Sequence, residues 1–149
     1  MGFVVYYLHP AAPPWYVQQH GLAFQPLAMG STAGLAQFDS FFGVSIFKSI
    51  YTKNANVFAA MPSLHSAYPV IVLFYAVKNR SGVFNLLFFS IMLGIWFAAV
   101  YTSHHYVLDV LAGIATALVG IDLLRLRLAK SAAFNRFLAA CMRATAPAA

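Results

Sequence analysis

Residues 83–101 run nineteen positions without a single charge. At about 1.5 Å per helical residue, that length covers the ~30 Å of hydrocarbon in a bilayer. Backbone inside lipid must satisfy its own N–H and C=O groups, so a helix is the expected form. The rest of the chain keeps to the same class. Of 149 residues, 62% are hydrophobic and 8% are charged, where a soluble domain carries roughly 25% charged residues. Mean hydropathy is +0.75. The sequence predicts an all-α, polytopic membrane helical bundle in which helix packs on helix and lipid covers the outside.

Two further spans follow from pattern. Residues 62–77 open on a Pro-Ser pair and end before Lys78 and Arg80. Residues 104–124 match the uncharged run in length but carry Asp109 and Asp122. Asp122, close to Arg125, is expected to pair with it. With three crossings, Lys78 and Arg80 fall on the same side as Arg125, Arg127 and Lys130, the cytoplasmic side by the positive-inside rule. Upstream, residues 3–8 read as a helix end. Pro10, Pro13 and Pro14 forbid a continuous helix through the next segment. Trp15 and Tyr16 suit the membrane–water boundary. Residues 21–34 read as an irregular loop, and residues 35–51 as a short or interfacial helix broken by Asp39, Gly43 and Lys48. Residues 131–149 read as a basic amphipathic tail on the cytoplasmic surface, leaving 1–130 as the membrane-embedded domain. The net charge of +6 fits this topology and anionic lipid, and no basic face with base-reading side chains points to nucleic acid. The single Cys141 rules out an intrachain disulfide and a cysteine metal site.

The chemistry concentrates in the histidines. Ser63 stands two residues before His65, and Ser103 two residues before His105. Serine is a favoured N-cap, which predicts each histidine in the first turn of its helix. The topology brings both helix starts to the non-cytoplasmic face, where free backbone N–H groups favour a phosphate or another anion. His105 and Asp109, four apart, share one helical face. Asp109 is expected to accept a hydrogen bond from one His105 nitrogen, fixing the tautomer and leaving the other nitrogen as a nucleophile. His65 is then the general acid. An aspartate within a span costs roughly 2.5–3.5 kcal/mol on insertion scales, so its presence is itself a functional hint. His104 points about 100° away from His105 by the helical period; it is expected to face the interface, and neither it nor His9 or His20 has an expected role. Lys48 and Lys53 precede the first span on the same face. They are candidates for a phosphate or an anionic head group, or for interfacial snorkelling. Ser63 and Ser103 at the helix starts join them as candidate substrate-binding residues. Gly113, Ala112 and Gly120 are read as close helix packing.

"MPSLHSAYP" resembles the second motif of the type-2 phosphatidic acid phosphatase (PAP2) superfamily, with its Pro-Ser-x-His core, and "SHHYVLD" resembles the end of the third motif, His-x-x-x-Asp. With "APPWY", the pattern is most similar to the inositol phosphorylceramide synthase branch, over roughly residues 11–120. The resemblance implies a phosphohistidine at His105, orientation by Asp109, and service of leaving and entering alcohols by His65. It also shows departures. The Lys-x6-Arg-Pro first motif is absent, and Ala98 and Ala99 stand where the third motif has Ser-Arg. That favours the lipid-synthase branch and leaves the phosphate clamp to Lys48, Lys53 and the helix-start backbone. Six spans are usual in the family, so either preceding spans or an assembly of several chains, such as a homo-oligomer, is expected to complete the bundle.

The expected function is an integral membrane lipid phosphotransferase. It moves a phosphoinositol-like head group from a phospholipid donor to a lipid alcohol through a phosphohistidine, with no cofactor and no metal. Water in place of the alcohol makes the same site a lipid or isoprenoid phosphate phosphatase. The alternative from another class is a non-catalytic membrane protein with His65 and His105 as haem or metal ligands.

Overall fold

The computed structural model describes residues 2–25, 28–51, 57–127 and 130–145. Three helices form the bundle: α5 (Leu64–Lys78), α6 (Phe84–Tyr101) and α7 (Val107–Leu126). Helix α5 packs against both others. The uncharged run is α6, and with α7 it is long and apolar enough to cross a membrane. Large apolar side chains such as Leu86, Leu87, Phe97, Leu111 and Leu118 point outward and are exposed. Such a surface needs lipid or protein against it rather than water.

The α5 N-terminus is gripped from two sides. Ser63, its N-cap, donates its backbone N–H to the Asp109 carbonyl at 3.0 Å. The Ser66 hydroxyl lies 2.8 Å from Ser63 O and 3.0 Å from Val110 O, shared between them. The Trp96 indole N–H, on α6, donates to Ser66 O at 3.3 Å. Gly113 makes the approach possible: a Cβ there would overlap Ser66 Oγ and Ser63 O. The small-residue reading therefore holds at Gly113. It fails at Gly120, where a Cβ would meet open space. Pro69 inside α5 lacks the N–H that would bond the carbonyl one turn earlier.

The α6–α7 turn is short and tied to α6. The backbone N–H groups of His104 and His105 both donate to Ala99 O, at 3.2 and 2.9 Å. Ser103 turns the chain with φ 61°, a left-handed conformation uncommon for a residue with a Cβ. Upstream, α1 (Gly2–Leu8) and α2 (Pro14–His20) frame the proline segment, and the loop expected over 21–34 forms no helix among its described residues. The Trp15 N–H donates to Ser103 O at 3.0 Å, docking α2 on the turn. Ala11 bridges to Ala59 in parallel. The broken helix expected over 35–51 is two helices, α3 (Leu35–Phe42) and α4 (Ile46–Tyr51). Gly43 caps α3 with φ 64°, and buried Asp39 accepts the N–H groups of Phe47 and Lys48 at 3.3 and 2.9 Å, starting α4. The tail forms α8 (Ala132–Thr145).

Two expectations need correction. Helix α7 begins at Val107, not at 104, because its N-cap is Tyr106 and its capping box closes on Asp109. The Asp122–Arg125 pair does not form. Instead the Arg125 guanidinium sits over the Phe74 ring, 5.2 Å from its centroid.

Candidate active site

His65, in the first turn of α5, and His105, just ahead of α7, meet at one end of the bundle. His65 Nδ1 lies 3.3 Å from His105 Nε2, with ring centroids 5.4 Å apart. One proton must lie between the two nitrogens. Behind His105, its Nδ1 faces Asp109 Oδ2 at 3.7 Å. That is contact without a hydrogen bond, and His105 Nδ1 is buried with no partner. The expected His105–Asp109 bond is therefore not formed in this state. The same Oδ2 accepts the Tyr106 N–H at 2.8 Å as part of the α7 capping box, which ties the carboxylate to the helix start. His105 and Asp109 are both nearly inaccessible, at 7% and 4% exposure. Burial first, and His65 second, hold the His105 imidazole down to about 4. His105 is thus neutral at neutral pH, with the lone pair a nucleophile requires.

The histidines open on a cavity of about 360 Å³, also lined by His104, Trp15, Tyr6 and Tyr51. His104 corrects the helical-period reading. Residues 104 and 105 precede the helix, so the period does not separate them, and both rings face the same cavity. His104 Nδ1 lies 2.8 Å from Thr102 Oγ1. That hydroxyl donates to Ala98 O at 2.7 Å, so His104 Nδ1–H is the donor and Nε2 carries the lone pair. The Tyr51 ring lies over His104 at 4.7 Å. Burial lowers the His104 pKa. Tyr6 fixes the cavity wall by donating its hydroxyl to Pro62 O at 2.8 Å.

The candidate substrate-binding residues divide. Ser63 is wholly buried, and its Oγ has no partner; it caps α5 by position, without a side-chain bond. Ser103 is not an N-cap; it borders a separate polar cleft with Gln18, Gln19 and Gln37. Lys48 is exposed on α4 and does not border the histidine cavity. Lys53 lies outside the described residues. Ala98 and Ala99 sit at the end of α6, where their carbonyls hold Thr102 and the histidine turn.

The PAP2 superfamily profile matches residues 1–123. The chain belongs to the PAP2 superfamily. Within it, the chain is 50% identical over 140 residues to a phosphoinositol dihydroceramide synthase of Bacteroides thetaiotaomicron, covering 92% of this chain and 45% of the relative. It is 32% identical over 114 residues to the inositol phosphorylceramide synthase catalytic subunit of Saccharomyces cerevisiae, covering 75% and 28%. It is 29% identical over 119 residues to that of Schizosaccharomyces pombe, covering 79% and 28%. The chain spans less than half the length of these relatives. No solved structure matches it. An all-α membrane fold is what the PAP2 superfamily and the apolar helices share, and the branch indicated by "MPSLHSAYP" and "SHHYVLD" is the branch of these relatives.

Proposed function

We propose that this PAP2 member is a lipid phosphotransferase, and that it moves a phosphoinositol head group from a phospholipid to a dihydroceramide-like alcohol. The observation that carries the reading is the 3.3 Å approach of His65 to His105, with Asp109 behind the second ring. His105 Nε2 attacks phosphorus as the P–O bond to the departing diacylglycerol breaks and a P–N bond forms. Protonated His65 gives that alcohol its proton. In the second step neutral His65 takes the proton of the incoming alcohol, whose oxygen attacks phosphorus and breaks the P–N bond. Both residues return to their starting states. In-line transfer of this kind depends mainly on positioning and charge stabilisation.

The phosphate takes the place that His65 occupies against His105 Nε2, so binding parts the two rings. The positive charge that develops on His105 draws Asp109 from 3.7 Å into hydrogen-bond range. The backbone N–H groups at the start of α5 supply the phosphate contacts, and Lys48 and Lys53 are the candidate cations. The basic turns at Lys78, Arg80, Arg125 and Arg127 lie at the other helix ends, which supports a non-cytoplasmic active site. In the same reading residues 1–130 are the catalytic unit. Residues 131–149 lie on the cytoplasmic surface, since α8 exposes Phe137, Leu138 and Met142 beside Arg136 and Arg143.

Metal ligation is less well supported, because among the described residues no three His, Cys, Asp or Glu side chains are grouped to hold an ion. The test is head-group transfer in liposomes of phosphatidylinositol, with and without dihydroceramide. Product that appears only with the alcohol supports the transferase. Release of free inositol phosphate at the same rate in both arms would make the protein a hydrolytic phosphodiesterase and not a transferase.

A further inference from the structure

At the end of the bundle away from the histidines, α5 and α7 leave a groove of about 440 Å³ open to the outside. Its α5 wall is the stripe Val70, Leu73, Phe74 and Val77, and its α7 wall is Leu118; Lys78 and Arg125 close the end. The pattern follows from spacing. Val70, Phe74 and Lys78 share one face of α5, and Leu118 and Arg125, two turns apart, share one face of α7. The groove is therefore apolar for about 12 Å along α5 and cationic at its tip.

Both cations are held rather than loose. The Arg125 guanidinium rests on the Phe74 ring, 5.2 Å from the centroid, joining the two walls. Lys78 Nζ lies 5.6 Å from the Tyr75 centroid. A guanidinium carries five N–H donors, so contact with one ring leaves others free for an anion. Asp122, one turn before Arg125, neither pairs with it nor borders the groove. The rest of this end adds Arg80 and Arg127, so the local field is positive.

We propose that this groove is a binding site for one anionic phospholipid, with an acyl chain along Val70, Leu73 and Leu118 and the phosphate between Lys78 and Arg125. The site stands at the opposite helix ends from the histidine cavity and does not depend on the catalytic reading. An apolar trough ending in two ordered cations matches an amphiphile with one buried tail and one negative head, and the charge complementarity selects an anionic over a zwitterionic lipid. A second protein helix would fill the apolar trough but would need carboxylates at that depth to answer both cations.

The experiment is native mass spectrometry of the full-length protein from mixed micelles of phosphatidylglycerol and phosphatidylcholine. The parent should keep one phosphatidylglycerol at least about fivefold over phosphatidylcholine. The double variant Lys78→Gln with Arg125→Gln should lose that preference. Leu118→Trp, which fills the trough and keeps both cations, should lose the bound lipid. Arg136→Gln with Arg143→Gln on α8 should leave retention unchanged, and matching thermal midpoints confirm folding of each variant. Retention by the double variant or by Leu118→Trp would overturn the site. So would an equal loss in the α8 variant, which would mean general surface charge, or a change of oligomeric state in Leu118→Trp, which would assign the trough to a second chain.

Discussion

Helix α7 carries two aspartates with opposite fates. Asp109, in its first turn, is buried, holds the Tyr106 N–H and stands behind His105. Asp122, near its last turn, is exposed and has no ion-pair partner among the described residues, while the neighbouring arginine prefers a ring on α5. The residue type is the same and so is the helix. The difference is how closely α5 approaches. At the first end Gly113 lets Ser63 and Ser66 pack on the α7 backbone, and every polar group there must find a use inside the protein. At the second end the helices leave a groove, and charges reach the water boundary. In a chain this apolar, the closeness of the backbones decides whether a carboxylate is machinery or surface.

That comparison can be broken at several points. The largest effect is expected from Asp109→Asn, which keeps an oxygen for the Tyr106 N–H but removes the charge facing His105. Turnover in the liposome transfer assay should fall about 10²–10⁴-fold, with membrane insertion intact. Unchanged turnover would make Asp109 a helix cap and nothing more. Next comes Gly113→Ala. Its Cβ overlaps Ser66 Oγ and Ser63 O, so α5 must shift, at about 1–3 kcal/mol. A lower thermal midpoint in detergent, with weakened transfer, is expected; a midpoint equal to the parent's would deny the close approach.

A third test uses acid. The folded state holds His105 near 4, below its ordinary 6.5, and His104 is lowered in the same direction. Between those values the unfolded chain binds protons that the folded chain refuses. Stability is therefore full above about pH 6.5 and falls progressively as pH drops toward 4. Thermal midpoints measured across that window should decline, and His105→Gln should flatten the decline. The smallest effect belongs to Asp122→Asn, which should leave transfer within about twofold of the parent, as exposed sites away from special features usually do. A loss like that of Asp109→Asn would erase the distinction between the two ends.

Much of this was legible in residue order. The uncharged run, the Pro-Ser start of α5 and the prolines around Trp15 act through local rules of length, capping and missing N–H groups, and the helices formed where those rules place them. His65 and His105 were legible as a pair because topology alone brings the two turns together. What escaped depended on three dimensions. Ser103 looked like an N-cap, but the chain turns there in a left-handed conformation, which passes the cap to Tyr106 and takes His104 and His105 out of the helix. The period that separated His104 from His105 then had no force, and a third imidazole entered the cavity. Ser66 was hidden because its role is set by Gly113, forty-seven residues later in the chain, through contact that no spacing rule encodes. The Asp122–Arg125 pair failed because a nearby ring on α5 offered the guanidinium a partner.

The central claim, that His105 carries phosphorus during turnover, has one direct measurement. Phosphatidylinositol labelled at phosphorus is mixed with the parent protein and with His105→Ala, and the quenched protein is assayed for acid-labile label. The parent should be labelled, lose the label when dihydroceramide is added, and the alanine variant should stay unlabelled. Label of equal amount on His105→Ala would contradict the account.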